Sequence, residues 1–233
     1  MTVLIPRRDK LIFDPPEIGN VLYLPGLPGG GPVIFDRSLY GNHGAITGAT
    51  WTRLPSGLWG LGLDGNDYVD CGNSSTLNPT SQMTLMSWVY HNNDLSEDEI
   101  WGRWEPNAYI LGVNAANHPF TKFVTNESGQ YKIFSAGVFP NQTLCHLATT
   151  FKGTDTGITL YLNGSAIVTT GLLSYPETIV TSAAFTVWGN LNRTAGSGYD
   201  WNGKLFLGKI FNSCLTATQM ANIYQQERHL FGV

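Results

Sequence analysis

Charge is scarce in this chain. Of its 233 residues only 13% are Asp, Glu, Lys or Arg, and 13 basic residues stand against 17 acidic ones for a net charge of −4. No run of Lys or Arg breaks that pattern, so the electrostatic footprint that grips a nucleic-acid backbone is missing. No stretch of about 18 apolar residues offers a membrane-spanning helix. The opening MTVLIPRRDK has no long apolar core and does not read as a secretory signal. Cysteine is sparse too: Cys71, Cys145 and Cys214 are an odd number without Cys-x-x-Cys spacing, which fits neither a zinc site nor a disulfide framework. Each lies in or beside an apolar segment and is expected to be a small buried residue. Internal repeats and low-complexity segments are absent.

What the chain does have is glycine, 27 residues of it, and 12% aromatics within a 42% hydrophobic composition. That mixture suits many short strands joined by tight turns and is too apolar for disorder. No composition break divides residues 20–233, which read as one domain. Residues 1–19 hold Pro6, Pro15 and Pro16 with no sustained period, and read as an extended N-terminal arm.

The organising stretch is 59–89. Leu61 and Leu63 alternate with Gly60 and Gly62, the period of a half-buried strand. Asp64-Gly65 marks a turn, and Tyr68-Val69 resumes the strand. After a polar segment, Leu85, Ser87 and Val89 share one face and Met86 and Trp88 the other. Further strands are expected over 21–24, 100–104, 109–113, 120–125, 131–135, 144–151, 158–162, 166–170, 185–188 and 205–211. Asn163-Gly164 between alternating segments is the strongest hairpin signal. One short helix is expected near the end, where Thr216 and Gln219 have capping-box spacing and Met220, Ile223 and Tyr224 follow at i, i+3, i+4. The fold class is therefore all-β: a two-sheet antiparallel sandwich with one short C-terminal helix.

The motifs LDGNDYVDCG (63–72) and MTLMSWVY (83–90) resemble the concanavalin A-like jelly roll in its laminin G-like, pentraxin-like branch. CHLATTF (145–151), ITLYLNG (158–164) and KIFNSCLTATQMANIY (209–224) follow in the order that the resemblance requires. Upstream, FDRSLYGNHGAITGATW (35–51) is similar to the branch's DxSGNGNHGTLxGxxW. The matches span roughly residues 20 to 228, and identify 20–233 as a laminin G-like jelly-roll domain.

Three chemistries follow as expectations. The resemblance implies a calcium site around the 35–51 motif, with Asp36 and Asn42 as ligands, and a second oxygen-rich turn supplies Asp64 and Asp67. Calcium needs six to eight such oxygens. The chain departs from the family by carrying apolar Phe206 and Leu207 where an acidic pair is usual, and Asp36 and Asn42 equally suit hydrogen bonds to turn backbone. Glycan binding would use exposed aromatics: Trp101, Trp104 and Tyr109 flank the Glu105-Pro106-Asn107 turn, and Tyr199 and Trp201 lie in the glycine-rich 196–203 loop. Trp51, Trp59, Trp88 and Trp188 are assigned to the core. Glycosidase chemistry needs two carboxylates about 5–10 Å apart. The nearest set, Glu97-Asp98-Glu99, is contiguous, so neighbours point to opposite faces, and it reads as a solvated loop. No Gly-x-Ser-x-Gly elbow occurs, and the five histidines are scattered.

The expectation is a non-catalytic surface recognition or structural module that binds glycan or protein without an organic cofactor. Its setting would be a virion surface or the extracellular space. A phage decoration or adhesion protein, touching capsid or tail subunits or self-associating through the arm, fits an initiator Met without signal or anchor. The alternatives are a secreted calcium-dependent lectin and, behind it, a glucanase-like hydrolase.

Overall fold

The structure is a computed structural model. It describes residues 19–233 apart from 27–28, 93–95, 105–107, 127–128, 136, 155–156 and 171–175. The expected arm at 1–19 thus lies outside the described residues except for Gly19, and so does the turn at 105–107. In chain order the strands are β1 (Asn20–Leu24), β2 (Val33–Ile34), β3 (Gly44–Thr47), β4 (Thr50–Arg53), β5 (Trp59–Asp64), β6 (Tyr68–Asp70), β7 (Gln82–His91) and β8 (Asp98–Arg103). They continue as β9 (Tyr109–Val113), β10 (Pro119–Thr125), β11 (Gly129–Phe134), β12 (Cys145–Lys152), β13 (Gly157–Leu162), β14 (Ser165–Thr170), β15 (Val187–Trp188) and β16 (Asn202–Phe211), followed by helix α1 (Ala217–Glu227).

Two eight-stranded antiparallel sheets result. The first runs β14-β13-β12-β7-β16-β5-β4, with β1 also paired to β16; the second runs β11-β10-β9-β8-β15-β6-β3-β2. This is the two-sheet sandwich expected from the alternation, and the jelly roll that the resemblance implies. β7 holds the centre of the first sheet. Its Met83, Leu85 and Val89 face the second sheet in the main core, with Leu61, Leu63, Leu111, Phe123 and Trp188. Ser87 on the same face is satisfied by donating to Phe206 O at 2.9 Å. The Asn163-Gly164 turn joins β13 to β14 with both residues at positive φ, 50° and 75°. Those angles belong to the two-residue hairpin that this dipeptide favours.

The outer face of the first sheet is covered by the C-terminal segment. Thr216 and Gln219 form the capping box, with Gln219 N–H donating to Thr216 Oγ1 at 3.2 Å and Thr216 N–H to Gln219 Oε1 at 2.8 Å. Met220 and Ile223 then bury against Met86, Ala148, Tyr161 and Phe211. Each such burial contributes about 1.5–3 kcal/mol, which holds a helix too short to be stable alone. Trp88 is fully buried, but beneath this segment: it stacks on Phe231 at 4.0 Å and on Tyr224 at 5.5 Å. Phe206 and Leu207, the apolar pair where the resemblance implies acids, join the same cluster. A bulge between Phe206 and Lys209 turns both residues outward toward the tail.

Two assignments change. Trp51 and Trp59 are only half-buried, with Trp51 at the rim of the core and the Arg53 guanidinium 5.6 Å from the Trp59 ring. They lie at the β4–β5 edge, where one face meets solvent. Cys71 and Cys145 are buried and Cys214 is half-buried, all three as free thiols. Among the described residues, no helix is long and apolar enough to cross a membrane.

Candidate functional site

Strand β8 decides which side chains meet. Asp98 points inward, where its carboxylate pairs with His91 Nε2 at 2.7 Å, and His91 Nδ1 meets Asn141 Oδ1 at 2.8 Å. Glu99 points outward. A bulge between Glu99 and Trp101 then sends both Ile100 and Trp101 into the core. Past the bulge Gly102 and Trp104 return to the outer face, on the side that Glu99 occupies. One extra residue in the strand thereby brings Glu97, Glu99 and Trp104 to a single cleft.

The cleft has a volume of about 330 Å³ and lies on the outer face of the second sheet, opposite α1. Its floor is Ile110 of β9 and the stem of Lys122 of β10, which face each other in register. Its far wall is the 189–201 loop, which contributes Leu191, Asn192 and Tyr199. Lys122 Nζ sits 3.7 Å from the centre of the Trp104 ring, a cation–π contact inside the cleft. Glu99 is fully buried, and Tyr199 is 39% exposed at the rim.

The loop is a built wall. Asn190 is fully buried and donates through Nδ2 to Thr194 O at 3.1 Å and to the Asp200 carboxylate, while its Oδ1 accepts from Asn192 N–H at 2.8 Å. Ser197 Oγ donates to Asp200 at 3.2 Å. Burial raises the Asp200 pKa, and the hydrogen bonds from Ser197, Asn190 and Gly198 offset part of that rise. Arg193 reaches back to Asp70 of β6 at 2.9 Å. The loop rests directly on Gly102, where an added Cβ would come within 2.6 Å of the Asn190 and Leu191 carbonyl oxygens. Gly102→Ala is therefore expected to lift the wall off the sheet, lowering Tm by several degrees. A thermal melt checks this; an unchanged Tm would show that the wall gives way freely.

Of the five aromatics expected to bind ligand, the structure brings Trp104 and Tyr199 to the cleft and withdraws the other three. Trp101, Tyr109 and Trp201 are fully buried. Trp101 donates from Nε1 to Met86 O at 3.1 Å and stacks on Trp188 at 5.7 Å. The Tyr109 hydroxyl donates to Leu77 O at 2.8 Å, and burial pushes its pKa up to about 12. Trp201 packs on His91 at 4.7 Å. The polar tips of Trp101 and Tyr109 find partners between the sheets, and Trp201 is fully buried against the His91 ring. The reading of Glu97-Asp98-Glu99 as a solvated loop also changes, since Asp98 and Glu99 are fully buried. Sequence reasoning weighed Glu97 and Glu99 only as catalytic carboxylates and passed over Lys122, Ile110, Leu191 and Asn192. The i, i+2 spacing of Glu97 and Glu99 is the one local signal that puts two of the cleft residues on a common face.

Asp36 and Asn42, nominated for calcium, are engaged by the protein itself. Asp36 is 5% exposed and both its oxygens are engaged: Oδ1 accepts from Tyr23 and Ser38 N–H at 2.8 Å, and Oδ2 from Ser38 Oγ at 2.7 Å and Asn42 N–H at 2.8 Å. Asn42 Nδ2 donates to Val21 O at 2.9 Å and Thr76 Oγ1 at 3.0 Å. Together they tie the 36–42 loop to β1. Asp64 and Asp67 line a separate polar depression with Asn92 and Lys204. There Asp67 Oδ2 accepts from Asp64 N–H at 3.1 Å, and burial raises the Asp67 pKa, with the Asp64 carboxyl group adding to the rise. Among the described residues no three His, Cys, Asp or Glu side chains converge.

Comparison with known proteins agrees with this architecture. The profile of the concanavalin A-like lectin/glucanases superfamily matches residues 63–221, and the chain belongs to that superfamily. A comparison with curated proteins finds no sequence match. Among solved structures, the binding domain of Paraclostridial Mosquitocidal Protein 1 superposes with a TM-score of 0.69 at 14% identity, covering 89% of this chain and 52% of that one. A structure of botulinum neurotoxin type C, reported with cell entry dependent on two ganglioside molecules, gives 0.67 at 14% identity over 89% of this chain and 51% of that one. This chain thus spans about half the length of those two toxin structures. Domain 4 of an extracellular arabinanase from Geobacillus stearothermophilus, solved with arabinotriose, gives 0.67 at 16% identity over 88% of this chain and 98% of that one. At these identities the likeness is one of fold.

Proposed function

We propose that this superfamily member is a non-catalytic glycan-binding module, and that the cleft on the outer face of the second sheet is its binding site. One observation carries the reading: Trp104 and Tyr199, from segments nearly 100 residues apart, meet at one cleft whose other polar walls are Glu97, Glu99, Lys122 and Asn192. An aromatic face for a sugar ring and a few placed polar groups for its hydroxyls are what such a site requires. The fold it shares with toxin binding domains and with an arabinanase domain solved with arabinotriose supports the reading. The reading concerns the binding surface and not the particle or cell that displays it.

A glycan array on the purified chain, followed by titration of each hit, tests the proposal. Trp104→Ala and Tyr199→Ala are expected to weaken binding at least tenfold each, as central aromatic anchors do. Tm should change little for Tyr199→Ala, because Tyr199 is partly exposed. EDTA should leave binding unchanged, because the oxygens of Asp36 are engaged by protein donors. An array without hits, or hits indifferent to both substitutions, would overturn the assignment. Glu97 and Glu99 line the cleft, so each hit is also incubated with the protein and assayed for new reducing ends. Turnover would replace the binding reading with a glycosidase.

A further inference from the structure

The cleft contains an ammonium group already, and its chemistry indicates which saccharides it selects. Lys122 Nζ lies 3.7 Å from the centre of the Trp104 ring, in a cavity that Glu97 and Glu99 also line. An aromatic face beside carboxylates is the environment that stabilises an alkylammonium, through the ring quadrupole and through Coulomb attraction. With two carboxylates and one ammonium, the charged lining is net negative by one. That balance repels a carboxylated sugar such as a sialic acid. Nothing in it rewards a neutral hexose over an aminated one. Glu99 is fully buried, so its interactions are weakly screened by solvent.

We infer that the cleft takes saccharides bearing a protonated amine, and that Lys122 is an internal competitor for the same place. This rests on the glycan-binding reading of the cleft. The amine of the sugar replaces Lys122 Nζ over Trp104. The long Lys122 side chain is half-buried at the cleft floor and swings toward solvent. Lys122 therefore sets the affinity from within, in the sense opposite to an ordinary contact residue. Removing it strengthens binding, because the aromatic face is vacated and the lining becomes net negative by two. Removing the Glu97 charge weakens binding, because the sugar amine loses a carboxylate.

The experiment is calorimetric titration at pH 6 with four probes: the glucosamine tetramer, its fully N-acetylated counterpart, cellotetraose and sialyllactose. The wild-type chain is compared with Lys122→Met, which keeps the stem volume, and with Glu97→Gln. The glucosamine tetramer is expected to bind best and to bind about fivefold tighter to Lys122→Met. Its affinity should fall about tenfold or more in Glu97→Gln, the effect of a lost hydrogen bond to a charged group, and weaken with added salt. Equal binding of the N-acetylated tetramer, or weaker binding by Lys122→Met, would overturn the inference. A neutral sugar that binds best and still depends on Trp104 would sink the amine selectivity and leave the glycan-binding reading standing. Tetralysine binding as tightly as the glucosamine tetramer would overturn the saccharide assignment. A thermal melt of each variant separates loss of binding from loss of fold.

Discussion

Asp98→Ala is expected to destabilise the domain by about 2–3 kcal/mol, the cost of deleting the charged partner of a buried hydrogen bond. Asp98 and His91 have side-chain exposures of 0% and 2%, and their 2.7 Å contact lies between the sheets. Alanine at 98 leaves His91 in place with Asn141 as its remaining hydrogen-bond partner and Trp201 against its ring. Both side chains are buried, so the imidazole Nε2 loses its partner and its desolvation goes uncompensated. Asp98→Asn keeps the shape and an acceptor oxygen and should recover a good part of the loss. Urea unfolding checks both: a shift in midpoint at constant slope reports stability. A loss below about 1 kcal/mol would mean that the pair contributes little beyond packing. Because Glu97 immediately precedes Asp98 and Glu99 follows it in β8, affinity at the cleft should fall along with stability.

Acidification should unseat the C-terminal segment through His146. This residue is fully buried on the outer face of the first sheet, with its ring centre 5.5 Å from Trp88 and 6.3 Å from Tyr224. Burial, with a smaller contribution from Lys209, lowers its pKa from 6.5 to about 4, and the Glu227 carboxylate works the other way. The folded pKa is thus below the unfolded one. Above pH 6.5 neither state holds the proton and His146 contributes no pH dependence. Between about pH 6.5 and 4 the unfolded chain takes up a proton that the folded chain refuses, so stability falls with pH by about 3 kcal/mol in all. Below about 4 the folded state accepts the proton as well and the loss levels off. Asp67 and Asp200 have raised pKa values and act in the opposite sense just above the ordinary carboxylate range. The comparison with His146→Leu therefore isolates the imidazole. The wild type should lose stability across pH 6.5 to 4 in urea titrations and the variant should lose about 3 kcal/mol less. Parallel curves would rule His146 out. Protonation is expected to act on the helix because Glu227 sits at its end. There it accepts from Trp88 Nε1 at 2.7 Å and pairs with Lys209 at 2.8 Å.

Most of the fold was legible because side-chain alternation is a local property. Leu85, Ser87 and Val89 must share a face in any extended chain, and burying that face requires a second sheet. The capping box at Thr216 and the turn at Asn163-Gly164 are likewise set by neighbours a few residues apart. Trp101 shows where this ends. Next to Trp104 and near Tyr109 it looked like part of one aromatic group, yet the bulge after Glu99 sends it to the core and returns Trp104 to the surface. A bulge is fixed by the hydrogen-bond register against β9, which the residues of β8 alone do not contain.

For this protein the sequence by itself determined the all-β sandwich, the Asn163-Gly164 hairpin and the capped C-terminal helix. These follow from periodicity and turn chemistry, which act over short range. Only the tertiary structure decided which aromatics face solvent and which oxygens of Asp36 and Asp67 are spent on backbone. It also decided that Glu97, Glu99, Trp104, Lys122 and Tyr199 line one cleft. Those facts depend on a loop near residue 190 folding back onto Gly102 of a strand some 90 positions earlier, and on a register shift between adjacent strands. Contacts of that span are set by how the sheets close and pack, and leave no trace in local spacing.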